Sequence, residues 1–288
     1  MSTNNPRPSK AQRTASAREK AAQMRAQEEA AQKRKSLFVK LGVLLAVLVV
    51  IALVVVLMVR QNSTKIEDAG AIPHGGNAAG GILVTGPDTV ADTKDGTVDI
   101  KDIDVPDERP AAPKPSGLTV GKKGEPVNIT MYVDGNCVHC AEFEQTYGEQ
   151  INQWLDAGDI TVEYRNVGYL DPGSNTNYSS RAANALACVA DQSPAAYMKF
   201  VTALWGHYDQ GEMKNAELAD MAVENGADKS ISSCIDKGTF RPFVQYTTAK
   251  AQAEGIAGTP TIVVQGRVID MASEDFPTAV EDAIKANK

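Results

Sequence analysis

Val127-Asn128-Ile129-Thr130-Met131-Tyr132-Val133 runs into Asp134-Gly135-Asn136 and then Cys137-Val138-His139-Cys140. The seven-residue run alternates and predicts a strand, and the Asp-Gly-Asn triplet predicts a turn that also caps a helix. Phe143, Tyr147, Ile151, Trp154 and Leu155 then recur at helical spacing up to Gly158, and residues 160 to 167 alternate again. The stretch therefore reads as a βαβ unit with two cysteines at the start of its helix. Cysteines so spaced suit a redox dithiol, a metal clamp or a plain staple.

A cysteine at a helix N-terminus meets unpaired backbone N–H groups and the positive end of the helix dipole, which favour its thiolate. The dipole supplies only ~0.3 to 1 kcal/mol, whereas one pKa unit corresponds to ~1.36 kcal/mol, so a strongly acidic thiol needs further donors. His139 can add a donor or a positive charge. Cys140, one turn further on, lies close enough to attack a mixed disulfide formed by Cys137. Zinc sites usually use two close ligand pairs, and Cys188, Cys234, His139 and His207 are too scattered for that, so no metal is expected.

Downstream, Asp171-Pro172-Gly173 breaks the pattern, and helical periodicity resumes near residues 179–190, 194–207, 216–225 and 240–254. This is a helical insertion at about 174–254. Residues 261–265 and 267–270 predict two short strands about Gly266, and residues 273–285 predict a last helix, capped by Ser273 with Glu274 and Asp275 in its first turn. Residues 117–288 are long enough for one α/β domain.

Upstream, Leu41 to Val59 carries no charge over 19 residues, enough at ~1.5 Å per residue to cross the ~30 Å hydrocarbon core. A cleaved signal peptide fits poorly, because a 40-residue region precedes the run and no small-x-small site comes after it. A single transmembrane helix is expected at 37–60, after a basic tail at 1–36. Residues 1–40 hold ten Lys/Arg against three Asp/Glu, which places the N-terminus in the cytoplasm. The whole chain has a net charge of -7, so the rest is strongly acidic, which disfavours nucleic acid as a partner. Residues 61–116, rich in Gly, Pro, Asp and Ala, read as a flexible linker, with short apolar patches at 81–85 and 98–105 as the places where it can pair transiently or lean on the globular part.

The order strand, Cys-x-x-Cys turn, helix, strand, helical insert, Gly258-Thr259-Pro260, hairpin and helix resembles the DsbA family of thioredoxin-fold oxidoreductases. Further matching stretches are Gly121 with Glu125-Pro126-Val127, Tyr178-Ser179-Ser180-Arg181-Ala182-Ala183-Asn184-Ala185, and Gly255-Ile256-Ala257 ahead of Gly258. They point to the membrane-anchored, actinobacterial type. The resemblance covers about residues 117–288 and implies a thioredoxin-like α/β fold with a helical insertion, preceded by a single transmembrane helix.

It also implies a protein disulfide oxidoreductase that needs no cofactor, with Cys137 exposed and reactive, Cys140 buried and resolving, and His139 assisting. Its substrate-binding positions are Val138, Thr259 and a cis Pro260. With the active pair set aside, Cys188 and Cys234 are left as partners for a structural disulfide in an oxidising compartment. The domain is expected outside the plasma membrane, held to the bilayer through residues 37–60, acting on reduced exported proteins and reoxidised by a membrane partner. The chain has Val138 where many relatives carry proline. A tethered reductant of the cytochrome-maturation type and a non-catalytic thioredoxin-fold binding module are the alternatives.

Overall fold

The computed structural model describes residues 65–93 and 96–288, with two helical fragments at 24–25 and 49–50. The expected tail and nearly all of the expected span at 37–60 lie outside the described residues. Among the described residues, no helix is long and apolar enough to cross a membrane.

The Val127–Val133 run forms a strand in which every residue is buried. Numbered in chain order, the strands are β1 (Ala69–Ala71), β2 (Ile82–Gly86), β3 (Thr89–Val90), β4 (Thr97–Asp99), β5 (Val127–Val133), β6 (Ile160–Asn166), β7 (Thr261–Val264) and β8 (Arg267–Val268). The helices are α1 (Val138–Asp156), α2 (Tyr178–Gln192), α3 (Tyr197–Gly206), α4 (Asn215–Glu224), α5 (Ile231–Lys237), α6 (Arg241–Ala253) and α7 (Phe276–Asn287).

A six-stranded sheet has the order β3-β2-β6-β5-β7-β8. β5 is its centre, parallel to β6 with Val127 opposite Ile160 and Val133 opposite Asn166, and antiparallel to β7 with Met131 opposite Ile262. Such a strand has helices on both faces, which is why apolar residues occupy both sides of it. Ile129, Met131 and Val133 belong to the large core with α1 and α7, whereas Tyr132 packs with Val263, Ala251 and Ile256 on the other face. Phe276 of α7 meets Phe143 and Tyr147 of α1 at ring separations of 5.0 and 5.2 Å, fixing the two helices against each other. β7 and β8 are joined by Gln265 and Gly266, both at positive φ (48° and 77°), the backbone that a tight two-residue hairpin requires.

The helical insertion forms as expected, and Cys188 of α2 is bonded to Cys234 of α5, with 5.9 Å between their Cα atoms. The last helix starts later than its periodicity suggests. Asp275, not Ser273, is its cap, with its carboxylate accepting from the Thr278 amide at 3.0 Å, and Pro277 occupies the first turn.

The stretch read as a linker differs most from expectation. Ile82, Leu83 and Val84 of β2 pair with Tyr164, Glu163 and Val162 of β6, covering what would otherwise be an open sheet edge. Ile82 and Val84 are 1% exposed, and Val90 and Val98 are buried too. β1 and β4 pair separately beside α6, where Gly70 lies so near Pro242 that a Cβ would come to 2.6 Å of its ring. The Tyr246 hydroxyl donates to the Ala78 carbonyl and the Thr247 hydroxyl to that of Gly80. Ile66–Lys288 accordingly form one unit.

Burying Ile82 is worth ~2–5 kcal/mol against alanine. Urea unfolding of Ile82→Ala should show a loss in that range; an unchanged midpoint would return this stretch to a free linker.

Candidate active site

Cys137 is the N-cap of α1, its backbone extended (φ -94°, ψ 121°), and its amide donates to the Asp134 carbonyl at 3.1 Å. The cap has no side-chain oxygen, so the first helical amides are left for the sulfur. On the other side, the loop between α6 and β7 brings the Thr259 carbonyl to 3.2 Å from the Cys137 Sγ, and the Thr259–Pro260 peptide is cis. The expected partners Cys137, Cys140, Thr259 and Pro260 are thus brought together.

The Cys137 thiol is lowered to about 5. The main cause is a hydrogen bond from the Cys140 thiol; burial opposes it, and the Thr259 side chain and the amides of Cys140 and His139 add to the lowering. Burial pushes the Cys140 thiol well up. The pair is therefore asymmetric, one sulfur an anion and the other a thiol at neutral pH.

Two placements differ from the sequence expectation. Cys137 is only 6% exposed and Cys140 2%, so the reactive sulfur is reached through a cleft and is not displayed on the surface. The His139 ring turns outward to Glu142, 2.8 Å away and one turn along the helix, and this neighbour raises its pKa. What His139 gives Cys137 is chiefly its backbone amide. Val138, next to Cys137 in sequence, is 40% exposed.

Asp134, read from the sequence only as part of a turn and cap, is fully buried directly before the site. Its carboxylate accepts from the Asn136 amide at 2.8 Å and the Leu170 amide at 3.0 Å, while burial raises its pKa to about 6. Trp205 Nε1 donates to its carbonyl at 3.2 Å. Asp134 therefore ties the turn before Cys137 both to the chain after β6 and to the helical insertion.

A second buried cluster sets the wall opposite. Arg165, with no exposed side-chain surface, donates to Glu163 at 2.7 Å, to the Tyr132 hydroxyl at 2.7 Å, and to the carbonyls of Ser116 and Gly117 at 2.9 and 3.1 Å. The Tyr132 hydroxyl donates to Glu254 at 2.6 Å, and Glu254 also accepts from the Ser116 amide at 3.1 Å. Hydrogen bonds of this number are what a buried charge needs to be tolerated. They hold residues 116–117 against the start of the loop that carries Thr259.

A dithiol with one ionised sulfur at a helix start, facing a cis-proline loop across the end of a central strand, defines a thiol:disulfide oxidoreductase site of the thioredoxin fold. Known proteins agree with this assignment. The thioredoxin family model matches residues 114–282. The oxidised DsbA of Mycobacterium tuberculosis is 30% identical, with 59% of this chain and 89% of that one covered and a TM-score of 0.50. The chain belongs to the thioredoxin family, among its DsbA-like thiol:disulfide oxidoreductases.

Among curated proteins, the serine/threonine-protein kinase PknE of M. tuberculosis is 33% identical over 150 residues, 49% of this chain and 26% of the kinase. The chain thus spans about a quarter of that relative's length. Disulfide bond formation protein D of Bacillus subtilis is 27% identical over 156 residues, covering 52% of this chain and 68% of that protein.

Titrating thiolate absorbance in the reduced protein should give a Cys137 pKa near 5. The value should rise by more than about one unit in Cys140→Ala and move by less than about one unit in His139→Ala. A wild-type value near that of a free cysteine would contradict this geometry.

Proposed function

We propose that the protein is a membrane-anchored, extracytoplasmic oxidant that introduces disulfides into exported proteins through Cys137 and Cys140. The observation that carries this is the placement of Cys137 at the start of α1, with the Cys140 thiol and the amides of His139 and Cys140 around its sulfur, an arrangement that lowers its pKa. A thiol of low pKa is a good leaving group and a poor holder of a disulfide bond.

The reaction starts from the Cys137–Cys140 disulfide. A client thiolate attacks the Cys137 sulfur, the Cys137–Cys140 bond breaks, and Cys140 leaves and takes a proton, as its raised pKa favours. A second client thiolate then attacks the client sulfur of the mixed disulfide and expels Cys137 as the stabilised thiolate. The client gains one disulfide and the enzyme is left as a dithiol, which a membrane reoxidase returns to the starting state.

Thr259, with Pro260 and Val138 flanking the sulfur, receives the client backbone in extended form. The Cys188–Cys234 bond is the structural disulfide; closing a loop with a sequence separation of 46 stabilises the fold by ~4 kcal/mol in the chain-entropy model. The name of the Bacillus relative, a disulfide bond formation protein, supports the same direction.

Anchoring rests on the sequence. The uncharged run from Leu41 to Val59 and the basic residues before it support a single span at 37–60, the N-terminus in the cytoplasm and residues 61–288 outside.

Cys140→Ala expressed in cells should accumulate mixed disulfides between Cys137 and exported proteins, lost in the Cys137→Ala/Cys140→Ala double variant. Recovery of none would remove the proposed activity. The pKa of Cys137 also sets a pH signature. Its folded value, about 5, lies below the 9.0 of an unperturbed thiol, so thiolate formation stabilises the folded dithiol increasingly from pH 5 towards pH 9, and the gain is lost as pH falls through 5. Denaturation of the two redox forms should show the reduced form gaining on the oxidised one between pH 5 and pH 8; a gap independent of pH would contradict the assignment.

A further inference from the structure

The cleft that exposes Cys137, about 610 Å³, has one wall that lies before the residues matched by the thioredoxin family model: Val105, Pro106, Asp107 and Arg109. These residues belong to a strap fixed at both ends. At its start, Ile103 donates to the Ile100 carbonyl at 3.0 Å and its side chain packs against the large core. At its end, the Lys114 amide donates to the Glu254 carbonyl at 2.7 Å, Ser116 is held by Glu254, and Gly255 lies so near Pro110 that a Cβ would come to 2.9 Å of its ring. Between these anchors residues 104–109 are exposed, and residues 104–113 make no hydrogen bond among the described residues. Prolines at 106 and 110 stiffen the span and limit what it loses on ordering.

The apolar side chains exposed on this unit are not spread evenly. Within residues 66–288 the large exposed apolar residues are Val105, Val120, Val138, Leu170 and Met271. Val105 and Leu170 line the cleft with Cys137, and Val138 adjoins Cys137 in sequence. Scattered single apolar residues need no explanation, but a group gathered about one thiol does. An unfolded segment presents apolar side chains next to its cysteine; a folded, native surface seldom does.

We propose that the strap is the specificity wall of the substrate cleft, with Val105 the residue that contacts an apolar side chain next to the client cysteine, so that unfolded, extended segments are selected. This rests on the cysteine chemistry proposed above, extending it from which sulfur reacts to which client is taken. Val105 is a positioning residue, since it reaches the client and not the reacting sulfurs.

The test uses the full-length protein in detergent and two peptides, each with serine in place of the cysteine, one flanked by leucines and one by glycine and serine. Binding by fluorescence anisotropy needs no turnover and so reads the cleft even if the redox reading fails. Val105→Asp should weaken the leucine peptide tenfold or more, ~1.4 kcal/mol or above, and leave the weaker glycine-serine peptide unchanged. Val120→Asp, at a residue somewhat more exposed than Val105 but outside the cleft, should alter neither. Oxidation of dithiothreitol, which has no side chain to place against the strap, should be slowed several-fold less than leucine-peptide binding is weakened in Val105→Asp, and should stay within twofold of wild type in Val120→Asp. Equal effects of the two substitutions on the leucine peptide, or a slowing of dithiothreitol oxidation matched to the binding loss, would overturn the proposal. Wild type that binds the leucine peptide but fails to oxidise dithiothreitol would overturn the redox reading and leave the strap assignment standing.

Discussion

Cys137 sits where the backbone changes from extended to helical, and the charge on its sulfur depends on elements far apart in sequence. The helix supplies amides from His139 and Cys140, and the Cys140 thiol supplies the strongest hydrogen bond. From the other side, the loop before β7 adds a hydrogen bond from the Thr259 side chain. None of these contributions is large alone, since a helix end gives no more than ~2 kcal/mol even when partly buried. Together they separate the two thiols, and the separation is what allows one sulfur to be attacked and the other to leave.

Holding that sulfur requires a rigid setting, and the sheet provides it. β5 delivers Asp134 and Cys137 from its end, and β7, paired to β5 on the far side, starts immediately after Pro260. Asp134 fastens the turn to the Leu170 amide, and its carbonyl accepts from Trp205 of the insertion. Arg165 and Glu254 fasten residues 116–117 beside the same loop. The chain before β5 is thereby part of the catalytic unit and supplies one wall of its cleft.

The sequence carried the βαβ unit plainly, because β5 and α1 are long enough for alternation and helical spacing to be counted, and Cys137-x-x-Cys140 and Gly258-Thr259-Pro260 are local patterns. The helical insertion was legible for the same reason, and its disulfide because Cys188 and Cys234 remain once the active pair is set aside. The strands between residues 69 and 99 were not: none exceeds five residues, and β2 exists because β6 has an edge to cover and α6 has a face to pack, neither of which is local. The outward turn of His139 could have been read from Glu142 three positions on, where a helix brings the two side chains together. Asp134 gave no signal beyond that of a turn residue, because its role comes from burial and from Leu170, 36 positions away.

The central claim is that these contacts make the Cys137–Cys140 disulfide a stronger oxidant than that of thioredoxin, whose potential is about -270 mV. Equilibrating the purified protein with glutathione buffers of known ratio and quantifying the two redox forms gives this potential directly. The expected value is clearly less negative than ~-270 mV; a value at or below it would show that the sulfur anion is not preferentially stabilised.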